Sequence, residues 1–379
     1  MESEQARFRL PFVEAAALEG FRAEEHEVVT EDGYILVNHR LPSPRNSTTV
    51  NKHPIFILPG LSATSDVFIL MDGNHSIPYF LANNGYDVWL VNPRGTKHSN
   101  RHLKYDSHKD VEYWKFSLFE LAYYDIPATI DYILNVTKKE KISAMGHSQG
   151  STTLFMALAA RLEYNDKINL AIHCAPSVYL NESGIPSLDT FAKHANFLYH
   201  VFADVLNIHV MPDAERELKG LENLCTLGPG FKHLCKYLVI FIDFGADYDK
   251  NYDDDAFSVV LSHVPSGLPT KLVAHYFQLI RDGRFQNFDY GPLGNIKHYG
   301  TSLPQQFFVS NITVPNILFY SSNDFLISLK GINRLIRELQ KPIPMMVKDK
   351  DFKHVTYLFS RLVTIIYPKL LSVLKKYNT

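Results

Sequence analysis

The sequence predicts an α/β fold built on a mostly parallel, doubly wound sheet, and three observations predict it. Short, almost wholly apolar runs such as Ile55-Phe56-Ile57-Leu58 and Asp87-Val88-Trp89-Leu90-Val91 break off at Pro and Gly. Strands without a polar face are covered on both sides, as parallel strands are. Helical patterns lie between these runs, so strand and helix alternate up to residue 180. The third observation is Gly146-His147-Ser148-Gln149-Gly150, which has four strand-like residues before it and a helical pattern directly after it.

Val28–Thr30 and Tyr34–Arg40 flank an Asp32-Gly33 turn and read as a hairpin. Ile55–Leu58 is a strand ending at Pro59-Gly60-Leu61. Ile77–Asn84 is a helix stopped by Gly85. Asp87–Val91 is a strand ending at Asn92-Pro93-Arg94-Gly95. Leu118–Leu134 is helical, with Pro127 as a kink or restart. Ile142–Met145 leads into the Gly-x-Ser-x-Gly corner, and Ile168–Ala175 is the next strand. From about Asn181 to Gln305 the rhythm breaks. Amphipathic pieces at Phe191–Val205 and Leu268–Ile280 and a Gly/Pro-rich patch at Tyr290–Gly294 replace the strands. A stretch this long is more than a loop. It divides the chain into a sheet domain, 1–180 and 306–379, and an inserted helical cap, 181–305. Alternation resumes with strand Ile317–Ser321, a helix at Ile332–Leu339, strand Met345–Val347 and a C-terminal helix at Val363–Lys376.

The 379 residues can bury a sizeable core, and 46% hydrophobic with 21% charged residues is ordinary for a globular chain. A net charge of −2 gives no electrostatic case for nucleic acid. The 25 Phe and 21 Tyr are compatible with an aromatic core or with an apolar binding surface.

The chemistry centres on Ser148. A serine between Gly146 and Gly150 projects from a tight corner, and the first amides of the following helix lack partners and can receive an oxyanion. By chance the pentapeptide arises in about one chain in ten of this length, so its context carries the weight. Asp324 follows strand Ile317–Ser321, and His354 lies in the loop after strand Met345–Val347. Serine, acid and histidine in that order, each beyond a strand, fit a nucleophile, an orienting carboxylate and a general base. Asp324 is equally suited to capping a helix. The amide of Gln149 is the expected first oxyanion donor and that of Leu61 the second. His147 reads as a packing or orienting residue. The set supports attack of Ser148 on a carbonyl carbon, an acyl-enzyme and release by water, with no metal or cofactor.

Cys225 and Cys235 flank a Gly-Pro-Gly turn and form either a small-loop disulfide or two free thiols, while Cys174 reads as a buried thiol. Asn46, Asn135, Asn181 and Asn311 open glycosylation triplets. Met1–Arg7 does not read as a secretory signal, so export is expected to use one outside this sequence. Asp253–Asp255 reads as a solvated turn.

These residues resemble the acid lipase family of gastric and lysosomal enzymes. Val29–Leu36, Leu81–Leu90, Asn92–Thr96, Tyr124–Ala128, Gly146–Gly150 and Asn323-Asp324 carry the resemblance, which runs almost the whole chain. It implies an α/β-hydrolase core under a helical cap and hydrolysis of lipid esters such as triacylglycerols or sterol esters. It implies the triad Ser148, Asp324 and His354 and oxyanion donors Leu61 and Gln149. It also implies a Cys225–Cys235 disulfide, a secreted or lysosomal setting, and transient contact with a lipid droplet or membrane surface. Two positions depart from the family pattern: Pro59 stands where the family has His, and Thr356 where it has Asp. A lipid carrier that keeps the fold without turnover and a hydrolase of small soluble esters are the rival readings.

Overall fold

The hairpin comes first in the chain and lies at one edge of the sheet. Strands β1 (Glu24–Val29) and β2 (Tyr34–Leu41) pair antiparallel across the turn at Thr30–Gly33. Gly33 takes φ +96°, and a side chain there would meet the His102 ring at 3.1 Å, so glycine is needed at this corner. Strands β3 (Pro54–Leu58), β4 (Asp87–Leu90), β5 (Arg101–His102), β6 (Ile142–His147), β7 (Ile168–Cys174), β8 (Asn316–Ser321) and β9 (Pro342–Val347) complete the sheet. Its order is β1-β2-β4-β3-β6-β7-β8-β9, with β5 on β2, and every pair from β4 to β9 is parallel. The computed structural model describes residues 10–42, 44, 53–181, 186–211, 263–324 and 326–378.

Strand alternation sorts side chains to two faces. Ile55 and Ile57 of β3 join one buried cluster with α1 (Phe12–Leu18), α2 (Ile77–Asn83) and α9 (Tyr367–Tyr377). Phe56 and Leu58 join the other with α3 (Ile126–Thr137) and α4 (Gln149–Ala160). All five residues of β3 are buried, which is why the run carries no polar position.

The chain visits β3 and β4 on one side of the sheet and then returns past β3 to begin β6. Strand order therefore reverses between β3 and β6. The crevice beyond the carboxyl ends of two such strands is where open α/β sheets bind ligands. Leu58 ends β3 and His147 ends β6, so the loops that follow them flank that crevice.

A buried ion cluster fastens this end of the sheet. Arg94, just after β4, donates from Nε to Asp125 Oδ1 at 2.8 Å and from a terminal nitrogen to Asp32 Oδ1 at 2.9 Å. Burial opposes its charge, but Asp125 and Asp32 outweigh that cost and hold its pKa above the ordinary value. Residues 121–125 form a wide π turn and Pro127 restarts the helix as α3.

Residues 186–211 and 263–300, as far as they are described, hold α5 (Pro186–Lys193), α6 (Thr270–Asp282) and α7 (Gly291–Tyr299) and none of the nine strands. Helix α6 packs against α5. The patch at Tyr290–Gly294 opens α7, with Pro292 in its first turn. Helix α8 (Leu329–Glu338) links β8 to β9.

Candidate active site

Ser148 stands at the corner between β6 and α4 with φ +50° and ψ −115°. A serine in this region is strained by roughly 1–3 kcal/mol, and such strain persists only where the surroundings impose it. Here the corner is too tight for side chains on either flank. A Cβ on Gly146 would meet the backbone of Gly150 at 2.5 Å, and one on Gly150 would meet Leu58 O at 2.4 Å. The Ser148 amide donates to Cys174 O at 2.9 Å, and Ser148 O accepts from Ser151 N at 2.9 Å, which fixes the turn.

The three residues picked from the sequence converge. His354 Nε2 lies 2.9 Å from Ser148 Oγ, and His354 Nδ1 lies 2.9 Å from Asp324 Oδ2. The carboxylate also caps a turn, because Asp324 Oδ1 accepts from Leu326 N at 3.0 Å and Ile327 N at 3.1 Å. Asp324 is not the helix cap that its sequence position also suited: Ser328 caps the helix that follows, its Oγ accepting from Gly331 N at 3.0 Å, while Asp324 Oδ1 holds the turn and Oδ2 faces His354. Asp324 and His354 are each only 7% exposed, so water competes little for the relay.

The loop carrying His354 is pinned twice. His147 Nε2 donates to His354 O at 2.8 Å, and Lys353 N donates to Thr356 Oγ1 at 2.8 Å. Burial first, then the neighbouring His354 ring, push His147 down to about 3, so it stays neutral and serves as a tether. Thr356, one of the two departures from the acid lipase pattern, is fully buried and supplies part of this anchoring.

Gly60 brings the loop after β3 against the corner, since a Cβ there would lie 3.6 Å from Ser148 Cβ. Leu61 follows it, and Ser62 takes φ +55°. The amide of Gln149 opens α4 and has no carbonyl one turn back to donate to. A cavity of about 230 Å³ adjoins these groups and is lined by Leu61, Ser148, Leu180, Val273, Tyr276 and His354 among others. Its walls are almost entirely apolar, and Val273 and Tyr276 come from α6. Tyr276 was not legible in the sequence, because nothing local marks which face of a helix meets a site distant in the chain; His147, read as a packing or orienting residue, orients the loop through His354 O.

Asn135 and Asn311 are exposed, and Asn181 is partly buried. Cys174 is a buried free thiol whose pKa burial pushes upward. Asn46, Cys225, Cys235 and Asp253–Asp255 lie outside the described residues. No helix among the described residues is long and apolar enough to cross a membrane.

The sheet order, the corner at Ser148 and the loops at the switch point define an α/β hydrolase. Family models agree: a partial alpha/beta-hydrolase lipase region matches residues 12–72, and the alpha/beta hydrolase fold matches residues 53–223. A solved structure from Sulfolobus solfataricus superposes with a TM-score of 0.63 at 15% identity, over 94% of this chain and 95% of that one, a likeness of fold alone. Three curated relatives reach further. Lipase 1 of Drosophila melanogaster is 33% identical over 94% of this chain and 78% of its own length. Gastric triacylglycerol lipase of Mus musculus is 34% identical over 90% and 85%. Lysosomal acid lipase/cholesteryl ester hydrolase of Macaca fascicularis is 30% identical over 95% and 89%. The chain belongs to this lipase family of the α/β hydrolases.

Proposed function

We propose that the chain hydrolyses lipid carboxylic esters, of the triacylglycerol or sterol ester kind, through an acyl-enzyme on Ser148. The continuous relay Ser148–His354–Asp324, opening on an apolar cavity, is the observation that carries the reading. His354 Nε2 accepts the Ser148 proton as Oγ attacks the ester carbonyl, and Asp324 steadies the imidazolium. The carbonyl oxygen gains charge as the carbon becomes tetrahedral, and the amides of Leu61 and Gln149 receive it. Collapse expels the alcohol with the proton from His354. Water, deprotonated by the same imidazole, then releases the fatty acid.

The acyl chain occupies the apolar cavity, where each methylene removed from water contributes about 0.8 kcal/mol. Residues 181–305 form a cap over this cavity on the core 1–180 and 306–379. The substrate is drawn transiently from a droplet or membrane surface. The names of the relatives support a secreted or lysosomal setting, and Asn46, Asn135, Asn181 and Asn311 are glycosylation sites there, with a Cys225–Cys235 disulfide in the cap. An intact relay argues against a lipid carrier without turnover.

The test is a panel of glyceryl and sterol esters of increasing chain length, emulsified and dissolved, at acidic and neutral pH, with Ser148→Ala alongside. Hydrolysis of emulsified long-chain esters that vanishes in Ser148→Ala is the expected result. Activity on dissolved short esters alone would favour the small-ester reading, and no hydrolysis of any ester would end the proposal.

A further inference from the structure

The apolar cavity beside Ser148 has one polar patch in its wall. Val273, Tyr276, Phe277 and Ile280 line it at the spacing i, i+3, i+4 and i+7, so a single stripe of α6 forms that side. Three of these side chains end in carbon, and Tyr276 ends in a hydroxyl. Ser177, three residues beyond the carboxyl end of β7, brings a second hydroxyl to the same cavity. A stripe that only had to hold a hydrocarbon chain gains nothing from a buried hydroxyl, which costs stability unless it finds a partner.

The protons in this patch can be counted. Thr152 of α4 is wholly buried behind Ser177. Its Oγ1 donates to Ser177 O at 2.8 Å and lies 2.7 Å from Ser177 Oγ. The single Thr152 proton goes to the carbonyl, so the Ser177 proton closes the second contact. Both protons are then engaged, and Ser177 Oγ keeps lone pairs that can accept. The Tyr276 hydroxyl approaches these two side chains from α6. The approach is looser than a hydrogen bond: the hydroxyl is buried and has no hydrogen-bond partner among the described residues. Burial raises its pKa above the ordinary phenol value, so it keeps its proton as a donor. The patch therefore holds one unused donor beside one unused acceptor.

The patch is close to the chemistry. Thr152 N donates to Ser148 O at 3.1 Å, so the Thr152–Ser177 pair stands one helical turn, about 5.4 Å, beyond the nucleophile. A substrate group that reaches it lies within a few carbons of the ester carbonyl. Plain hydrocarbon in this place leaves the phenol proton unsatisfied. A hydroxyl accepts from Tyr276 and donates to Ser177 Oγ, and every polar atom of the patch is then paired. We infer that Tyr276 and Ser177 are specificity-determining residues for a hydroxyl borne near the scissile ester, Tyr276 donating to its oxygen and Ser177 Oγ accepting its proton. Two kinds of lipid ester offer that chemistry. One has a hydroxyl on the acyl chain, and the other is a partial glyceride with free hydroxyls on its glycerol.

The inference rests on the proposed ester hydrolysis at Ser148, and its test reads ratios of kcat/KM within matched pairs of esters. One pair is a fatty acid methyl ester with and without a hydroxyl a few carbons from the carbonyl. The other is a monoacylglycerol and the same compound with its free hydroxyls methylated. Wild type should prefer the hydroxylated member of at least one pair by about tenfold. The pair that shows the preference tells which side of the ester bears the hydroxyl. Tyr276→Phe keeps the ring and should bring that ratio to parity, and Ser177→Ala should narrow it. A merely structural role lowers both members of a pair by the same factor and leaves the ratio at its wild-type value. A preference that survives in Tyr276→Phe overturns the inference, and so does a wild type without preference in either pair. A wild type that hydrolyses none of the four esters, nor any other ester, overturns the proposed function itself.

Discussion

Gly150→Ala probes the corner that aims Ser148. The added Cβ would lie 2.4 Å from Leu58 O and 2.7 Å from Leu58 Cβ, where ordinary contact begins at 3.4 Å. The obstacle is the backbone of a buried central strand, so no flexible side chain can yield. The start of α4 has to move by about 1 Å, and Ser148 is the residue immediately before it. Overpacking of this kind costs roughly 1–3 kcal/mol of stability. A displacement of about 1 Å at a reacting group costs on the order of a hundredfold in rate. Gly20→Ala is the control, because Gly20 takes φ +83° with nothing within 4 Å of a Cβ. It costs about 1 kcal/mol for the left-handed backbone and leaves turnover alone. Urea midpoints and ester hydrolysis on the two purified variants decide the matter. A Gly150→Ala protein as stable and as fast as wild type would refute the claim that the glycine pair sets the serine.

Asp324→Asn removes the carboxylate 2.9 Å from His354 Nδ1, and kcat should fall by about four orders of magnitude with KM little changed. Arg94→Met leaves Asp32 and Asp125 without their cation, one of them wholly buried, and should cost about 3–5 kcal/mol in urea unfolding. Arg94→Lys should rescue little of that, since one ammonium cannot span both carboxylates. His173 is held down to about 3 by burial, against 6.5 for the exposed group. Its folded pKa is depressed, so the unfolded chain takes up this proton first, and the stability present above about pH 6.5 is lost as pH falls toward 3. His173→Gln should therefore make the pH dependence of unfolding shallower across that window. An unchanged slope would show that His173 is not neutral in the fold.

The strands that position the site were legible because β3, β4 and β6 are buried on both faces and carry apolar runs. β9 was read only from Met345, because Pro342 and Pro344 argue against a strand. It lies at the sheet edge, where a missing amide is tolerated. The stretch Phe191–Val205 read as an amphipathic helical piece, and it falls into the end of α5, a short α-helix Ala195–Tyr199 and a π segment His200–Val205. Periodicity alone does not locate such breaks. The order of serine, acid and histidine was visible, since each follows a strand. The Arg94 cluster was not, because Asp125 and Asp32 stand 31 and 62 residues away and neither carries a local signal.

The most direct measurement is covalent trapping of the nucleophile. The intact protein is treated with a long-chain alkyl fluorophosphonate, digested and mapped by mass spectrometry. The account predicts one adduct, on the Ser148 hydroxyl, formed in step with loss of ester hydrolysis and abolished by His354→Ala. An adduct on any other residue that still silences the enzyme, or full hydrolysis surviving complete modification of Ser148, would contradict it.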